Sequence, residues 1–381
     1  MVFVKTPYLQ LPENDGITVM WETDQLSDSE LIIWDTFCPD CGDEHGDAQY
    51  IPIGNPRIFT GEAAYVHKVK AVELESGKDY CYRVLSRAAD TELTSELCVF
   101  RTQSQNYDTF SFAVTSETGG SGSPPPVIDK VVTAIAAERP DFILFVGDMV
   151  LDGTQKKDWD DFMFTPFRNL LCHTPFYHCA GNHEENADYM RMFLATSEKG
   201  YYDFTYGCAH FIALDSTQLS EHIKGENGCL TIELTRPLSA DNAQVKFLID
   251  CLKKSSSQWK FVYLHYPPYF SGTWEGKALR PLCRIFEMYD VDMVFTSHAI
   301  VYERSHPIRE DSVDFSKGVR YIVAGGAGEQ PKWFHHKKAW HTAKSRAVPH
   351  FVHIGVTPSY LEFQAIDLDG RVFDSLMIQK Q

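Results

Sequence analysis

Four short segments of this chain carry residue types that together can hold a divalent metal. They are Gly147-Asp148, Gly181-Asn182-His183-Glu184, His265 in Val-Tyr-Leu-His, and His298 in Thr-Ser-His-Ala-Ile. Asp148 offers a carboxylate, Asn182 an amide oxygen, and His265 and His298 imidazole nitrogens. That mixture suits zinc, manganese or iron in a hydrolytic centre. His183 stands beside Asn182, where it can meet a substrate oxygen as donor or acid, with Glu184 expected to hold its ring. Each segment follows a run of strand-forming residues: Phe142–Val146, Phe176–Cys179, Phe261–Leu264 and Val291–Phe295. An open α/β sheet places its chemistry at such strand ends, and a glycine before Asp148 and Asn182 lets the backbone turn tightly.

The elements that must position these residues fall into two regions. At 381 residues the chain is too long for one ordinary core, so two domains are expected. Residues 1–105 read as all-β, with strand-like runs at Ile17–Trp21, Leu31–Trp34, Tyr65–Leu74, Tyr80–Val84 and Leu97–Phe100. Turn signals fall at Asn14-Asp15-Gly16, Thr60-Gly61-Glu62 and Ser76-Gly77-Lys78. Short strands at this spacing predict a small β-sandwich. The polar stretch Thr102 to Asp108 reads as a linker. Residues 106–381 alternate strand and helix. Helices are expected from Pro126 to Glu138, from Ala240 to Lys254 with Ser239 or Asp241 as cap, and from Leu279 to Tyr289. Hairpins close the chain, with Asp369-Gly370 as a turn.

Composition excludes some classes of partner. A formal charge of −17 opposes non-specific binding to nucleic acid or to an anionic membrane. An anionic substrate then needs a local positive centre, which bound metal supplies. No apolar run approaches the roughly 18 residues that span a bilayer. Met1-Val2-Phe3-Val4-Lys5 has no apolar core of a signal peptide, so the chain as written reads as cytoplasmic, or as exported if a leader was trimmed. Of ten cysteines, only Cys38-Pro39-Asp40-Cys41 has ligand-like spacing. A structural zinc site needs a second pair and none follows, so a local disulfide or free thiols are preferred to a zinc knuckle with His45. The oligomeric state is not legible.

The order GD, GNHE, V-x-x-H, then a histidine ahead of Val301-Tyr302-Glu303-Arg304, resembles the calcineurin-like metallophosphoesterases, and within them the purple acid phosphatases. Pro7-Tyr8-Leu9-Gln10 through Met20-Trp21 is similar to the start of that family's fibronectin-III-like domain. The resemblance implies an N-terminal fibronectin-III-like β-sandwich (1–105) and a C-terminal four-layer α/β/β/α catalytic domain (106–381). It implies hydrolysis of phosphate mono- or diesters by a metal-activated water, with two metals about 3.5 Å apart. Carried over by position, one metal falls to Asp148, Asn182, His265 and His298, with Asp148 bridging to the other.

At the other metal the chain departs from the family. Glu117 stands where the first motif has aspartate, and Gly119 where many relatives have histidine. Leu151 replaces the tyrosine whose iron complex gives the purple colour. Ile300 replaces the second histidine of the last motif, and Ser297 its glycine. At most Glu117 and Asp148 remain, a set that holds zinc or iron weakly. The loop after His265 lacks the family's leaving-group histidine; Glu275 there is a substrate-binding candidate and would serve as acid only if burial raised its pKa. A basic, aromatic stretch from Lys332 to His341 includes Lys337, Lys338 and Trp340, and is expected to bind an anionic or sugar-bearing part of a small ester substrate. Two expectations follow: a phosphate-ester hydrolase, or one of a related ester such as sulfate, with one intact metal site; or a non-catalytic metal-binding scaffold of phosphatase descent.

Overall fold

The computed structural model describes the chain except residues 40–48, 105–108, 120–126, 186–187, 196, 225–229, 273, 329–336 and 381. The residues form two compact units. One comprises Met1–Tyr107, Phe164–Tyr177 and Met192–Ala195; the other comprises Asp108–Met163, His178–Arg191 and Thr196–Gln381.

The first unit is built on one long bent strand, Gly16–Phe37. Its first half pairs with Phe3–Glu13, its second half with Asp79–Ala88, and Ile51–Ala71 runs antiparallel along both. The register shifts around Ser27 and Ser29, between the half paired with Phe3–Glu13 and the half paired with Asp79–Ala88. Trp21, Leu31, Ile33, Val69, Tyr80, Tyr82 and Phe100 fill the space between. The turn expected at Thr60-Gly61-Glu62 does not exist, because these residues lie inside Ile51–Ala71. Gly61 is there for closeness: a Cβ would stand 3.0 Å from Val69 Cγ2 and 3.3 Å from Ser29 Cβ. Cys38 is disulfide-bonded, while Cys41 and His45 lie outside the described residues.

A buried histidine makes this unit acid-sensitive. His67 lies flat on Trp21, with centroids 4.7 Å apart, and its nitrogens meet Ser29 Oγ at 2.5 Å and Thr23 Oγ1 at 2.8 Å. Burial pushes its pKa down to about 4, against the pull of Glu22. The unfolded chain binds a proton below about pH 6.5 and the folded unit does not, so stability falls as pH drops from 6.5 toward 4. The gap corresponds to roughly 3 kcal/mol. Thermal denaturation across that window is expected to show a loss of about this size that His67→Gln largely removes; parallel curves for the two proteins would contradict it.

The second unit is a four-layer sandwich. In one sheet, Phe110–Thr115 runs parallel to Phe142–Phe145 and antiparallel to His350–Val356, which leads out through Tyr360–Asp367 and Val372–Gln379. The other sheet has the order Tyr202–Tyr206, Ala209–Ala213, Trp259–Tyr263, Met293–Thr296, Arg320–Ala324, Tyr302–Ser305, Thr342–Arg346. A layer of phenylalanines joins their inner faces. Phe112 stacks on Phe142 at 5.3 Å and meets Phe211 and Phe295 edge-on at 5.2 and 5.8 Å. Helix Ile128–Glu138 buries Val131 and Ile135 on one side. Helices Ala243–Lys254 and Arg280–Met288 bury Leu248, Leu252, Leu282 and Phe286 on the other. The N-cap of Ala243–Lys254 is Asn242, not Ser239 or Asp241: its side chain accepts from the amides of Gln244 and Val245 at 3.0 and 3.3 Å, satisfying two otherwise unpaired donors.

Candidate metal centre

The central strands of the second unit end at one place. Thr115, Phe145, His178, Tyr263 and Thr296 are their last residues, and Glu117, Asp148, Asn182, His265 and His298 follow within a few positions. His265 Nε2 lies 3.0 Å from Asp148 Oδ2, 3.2 Å from Asn182 Oδ1 and 3.2 Å from His298 Nδ1. All four side chains expected to share one metal therefore converge on a single nitrogen. One ligand atom each from Asp148, His265 and His298 lies within 4.8 Å of the other two.

Backbone strain and close approach set this geometry. Gly147 has φ +91°, and Asp148 and His298 also adopt positive φ, at 54° and 66°. Positive φ is uncommon for non-glycine residues, though Asp and His tolerate it better than most, and in this chain it also occurs away from the site, at Leu11, Ala89 and Arg139. A Cβ on Gly181 would stand 2.2 Å from Asp148 Oδ1. His265 is held by its Nδ1, 2.9 Å from the Val146 carbonyl, a contact that frees Nε2 to act as ligand.

The charges are poised for a cation. Burial opposes protonation of His265, but the Asp148 carboxylate beside it raises its pKa to about 9. Burial, with the charge of His265 next, holds His298 well below the ordinary histidine value. A centre with an acid, an amide and two imidazoles at these separations has the donor chemistry of a borderline divalent ion.

Glu184 does different work from that expected. It does not touch the His183 ring. Its carboxylate accepts from the amides of Asp148, Met149 and Gly181 at 2.9, 2.8 and 2.6 Å, and faces His178 Nε2 at 3.4 Å. Burial works against the charge, yet His178 and these amides bring its pKa down to about 2. An ionised carboxylate thus ties the Gly-Asp and Gly-Asn-His-Glu loops together. His183 is oriented instead by the Leu151 carbonyl, 2.7 Å from its Nδ1, while its amide donates to Asp148 Oδ1 at 2.9 Å.

At the partner position one oxygen of Glu117 is engaged by protein. Glu117 Oε1 accepts from Ser297 Oγ and, at 2.6 Å, from the His298 amide. Burial first, then the charge of Asp148, raises its pKa to about 7. The carboxylate expected to serve as a second-metal ligand thus has its Oε1 bound to the loop that carries His298. No side chain fits at position 119: a Cβ there would lie 1.9 Å from the Val150 carbonyl oxygen. The replacement of a histidine by Gly119 is thus structural as well as chemical.

Glu275 is corrected as a candidate acid. Burial favours its neutral form, but His341 and Arg280 outweigh it and hold the pKa below the ordinary value; Arg280 Nη2 is 2.5 Å from Oε1. Lys337, Lys338 and Trp340 are exposed, and Trp340 stands edge-on to Tyr269 at 6.3 Å. Residues 332–336 of that stretch lie outside the described residues.

One residue at the site escaped sequence reasoning. His222, on strand Ser220–Lys224, puts its Nε2 3.0 Å from His298 Nε2. Trp274 packs against both rings, at 5.7 and 5.5 Å. A ligand role for His298 Nδ1, which is turned to His265, requires the proton on Nε2, and His222 Nε2 is placed to accept it. No motif marks His222; only the hairpin's placement does. His222→Ala is expected to weaken divalent-metal affinity by about 10–100-fold, measured by chelator competition; an unchanged affinity would remove His222 from the centre.

A family model described as calcineurin-like phosphoesterase matches residues 110–302, half of the chain. An uncharacterized protein of Mycobacterium tuberculosis is 24% identical over 247 residues, covering 53% of this chain and 45% of that protein. A protein of Arabidopsis thaliana named "Probable inactive purple acid phosphatase 24" is 24% identical over 243 residues, covering 51% of this chain and 36% of its own. The chain thus spans less than half the length of these curated relatives. In fold it is similar to a purple acid phosphatase from yellow lupin (Lupinus luteus) seeds, with a TM-score of 0.78 at 17% identity over 98% of this chain and 74% of that one.

Proposed function

Because the chain belongs to the calcineurin-like phosphoesterases, we propose that its second unit hydrolyses phosphate esters at a single divalent ion held by Asp148, Asn182, His265 and His298. The convergence of those four donors on His265 Nε2, at 3.0–3.2 Å, carries this reading. Zinc, manganese or iron(II) there supplies a Lewis acid and an activated water. The chain's own residues do the rest. Asp148 and Asn182 provide the oxygen donors, and Glu184 clamps the loops that hold them. His183 donates its Nδ1–H to the Leu151 carbonyl, and in its protonated form it gives the Nε2 proton to the departing oxygen; burial opposes that form, but the Asp148 carboxylate raises its pKa above the ordinary value. The substrate is a small-molecule or sugar-linked anionic ester, with phosphate preferred to sulfate.

A second reading is a metal-holding scaffold without turnover. The altered partner position, with Gly119 against Val150 and Glu117 Oε1 bonded to Ser297 and His298, favours it. The similarity to a plant protein whose name includes "inactive" points the same way. Metal-reconstituted protein assayed on chromogenic phosphate mono- and diesters and on a sulfate ester separates the two. Metal-dependent release from a phosphate ester is expected. Glu117→Gln keeps the acceptor for Ser297 and His298 and is expected to lose less than about tenfold. Bound metal without hydrolysis of any ester would favour the scaffold; a far larger loss in Glu117→Gln would restore a two-metal mechanism.

A further inference from the structure

The first unit carries its own set of metal-type ligands. Cys98 begins the strand Cys98–Arg101, and Cys172 and His173 directly follow the helix Thr165–Leu171. Two sulfur atoms and one ring nitrogen from these residues lie within 4.8 Å of one another. Both cysteines are free thiols, Cys98 buried and Cys172 half-buried. A tetrahedral ion with Zn–S near 2.3 Å and Zn–N near 2.0–2.1 Å separates its ligands by about 3.6–3.8 Å. The cluster is within a small closure of that geometry.

The surroundings hold the three residues in place. Tyr82 Oη donates to the Cys172 carbonyl at 2.7 Å. The Val99 amide donates to His173 Nδ1 at 3.1 Å, and the Val99 carbonyl lies 3.0 Å from the same nitrogen. Binding an ion through Nε2 needs the other tautomer, in which Nδ1–H donates to that carbonyl and keeps the ring oriented. Two thiolates and a neutral imidazole around a divalent ion carry no net charge, which suits a partly buried position.

We propose that Cys98, Cys172 and His173 bind one zinc-class ion, with water in the fourth position. The site joins two ligands 74 positions apart in the chain and has no counterpart in the Cys-x-x-Cys spacing at Cys38.

The test uses cobalt(II) and the full chain, reduced. Wild type is expected to bind one equivalent that shows thiolate-to-cobalt charge transfer in the near ultraviolet, in addition to the equivalent at Asp148, His265 and His298. Cys172→Ser and His173→Ala lie at less buried positions than Cys98 and carry the test. Each is expected to lose the charge-transfer band, or to weaken that equivalent at least tenfold, while the other equivalent stays. A wild type without the band, or a band that survives in both variants, would overturn the proposal. So would a Cys98–Cys172 disulfide that persists under conditions reducing the other thiols.

Discussion

His298→Ala is expected to abolish tight binding of the catalytic metal and to lower phosphate-ester hydrolysis by on the order of a thousandfold or more. The residue acts in three ways at once. Its Nδ1 faces His265 Nε2 at 3.2 Å, its amide anchors Glu117, and its Nε2 meets His222. Alanine keeps the amide and so the loop's tie to Glu117, but removes the ligand. Far-ultraviolet circular dichroism should therefore stay near wild type while metal content at this centre and turnover collapse together. Turnover within about tenfold of wild type, with metal retained, would remove His298 from the ligand set.

Gly147→Ala is expected to damage both fold and site. The glycine has φ +91°, and a Cβ there would stand 2.6 Å from His265 Nδ1, 2.7 Å from Gly181 N and 2.8 Å from Gly181 Cα. Neither neighbour can move freely. His265 Nδ1 is held by Val146 and Gly181 N–H by Glu184. Backbone strain at such a φ costs of order 1–3 kcal/mol, and the overlaps add to it. A destabilisation of about 3 kcal/mol or more in denaturant unfolding, with weakened metal binding, is the expected outcome. Wild-type stability and affinity would show that the loop is softer than its contacts imply.

Much of this site was legible because its chemistry lies where strands stop. Strand-forming runs, a glycine and a hydrophilic ligand predict the positions of Asp148 and Asn182, and two strand-end histidines complete the set. The less visible parts depend on partners distant in sequence. His222 reaches His298 from a hairpin with no motif. Glu184 binds backbone amides 35 and 36 positions away, and neither its type nor its spacing says so. Gly61 reads as a turn but serves close packing between strands, since local composition cannot distinguish a turn glycine from one whose missing Cβ lets strands approach. Glu275 required knowledge of Arg280 and His341 before its charge could be assigned.

Anomalous diffraction from crystals of manganese-loaded protein tests the central claim most directly. One peak is expected among Asp148, Asn182, His265 and His298, with none beside Glu117. A second peak about 3.5–4 Å away, bridged by Asp148 and touching Glu117, is the two-metal arrangement and would contradict it.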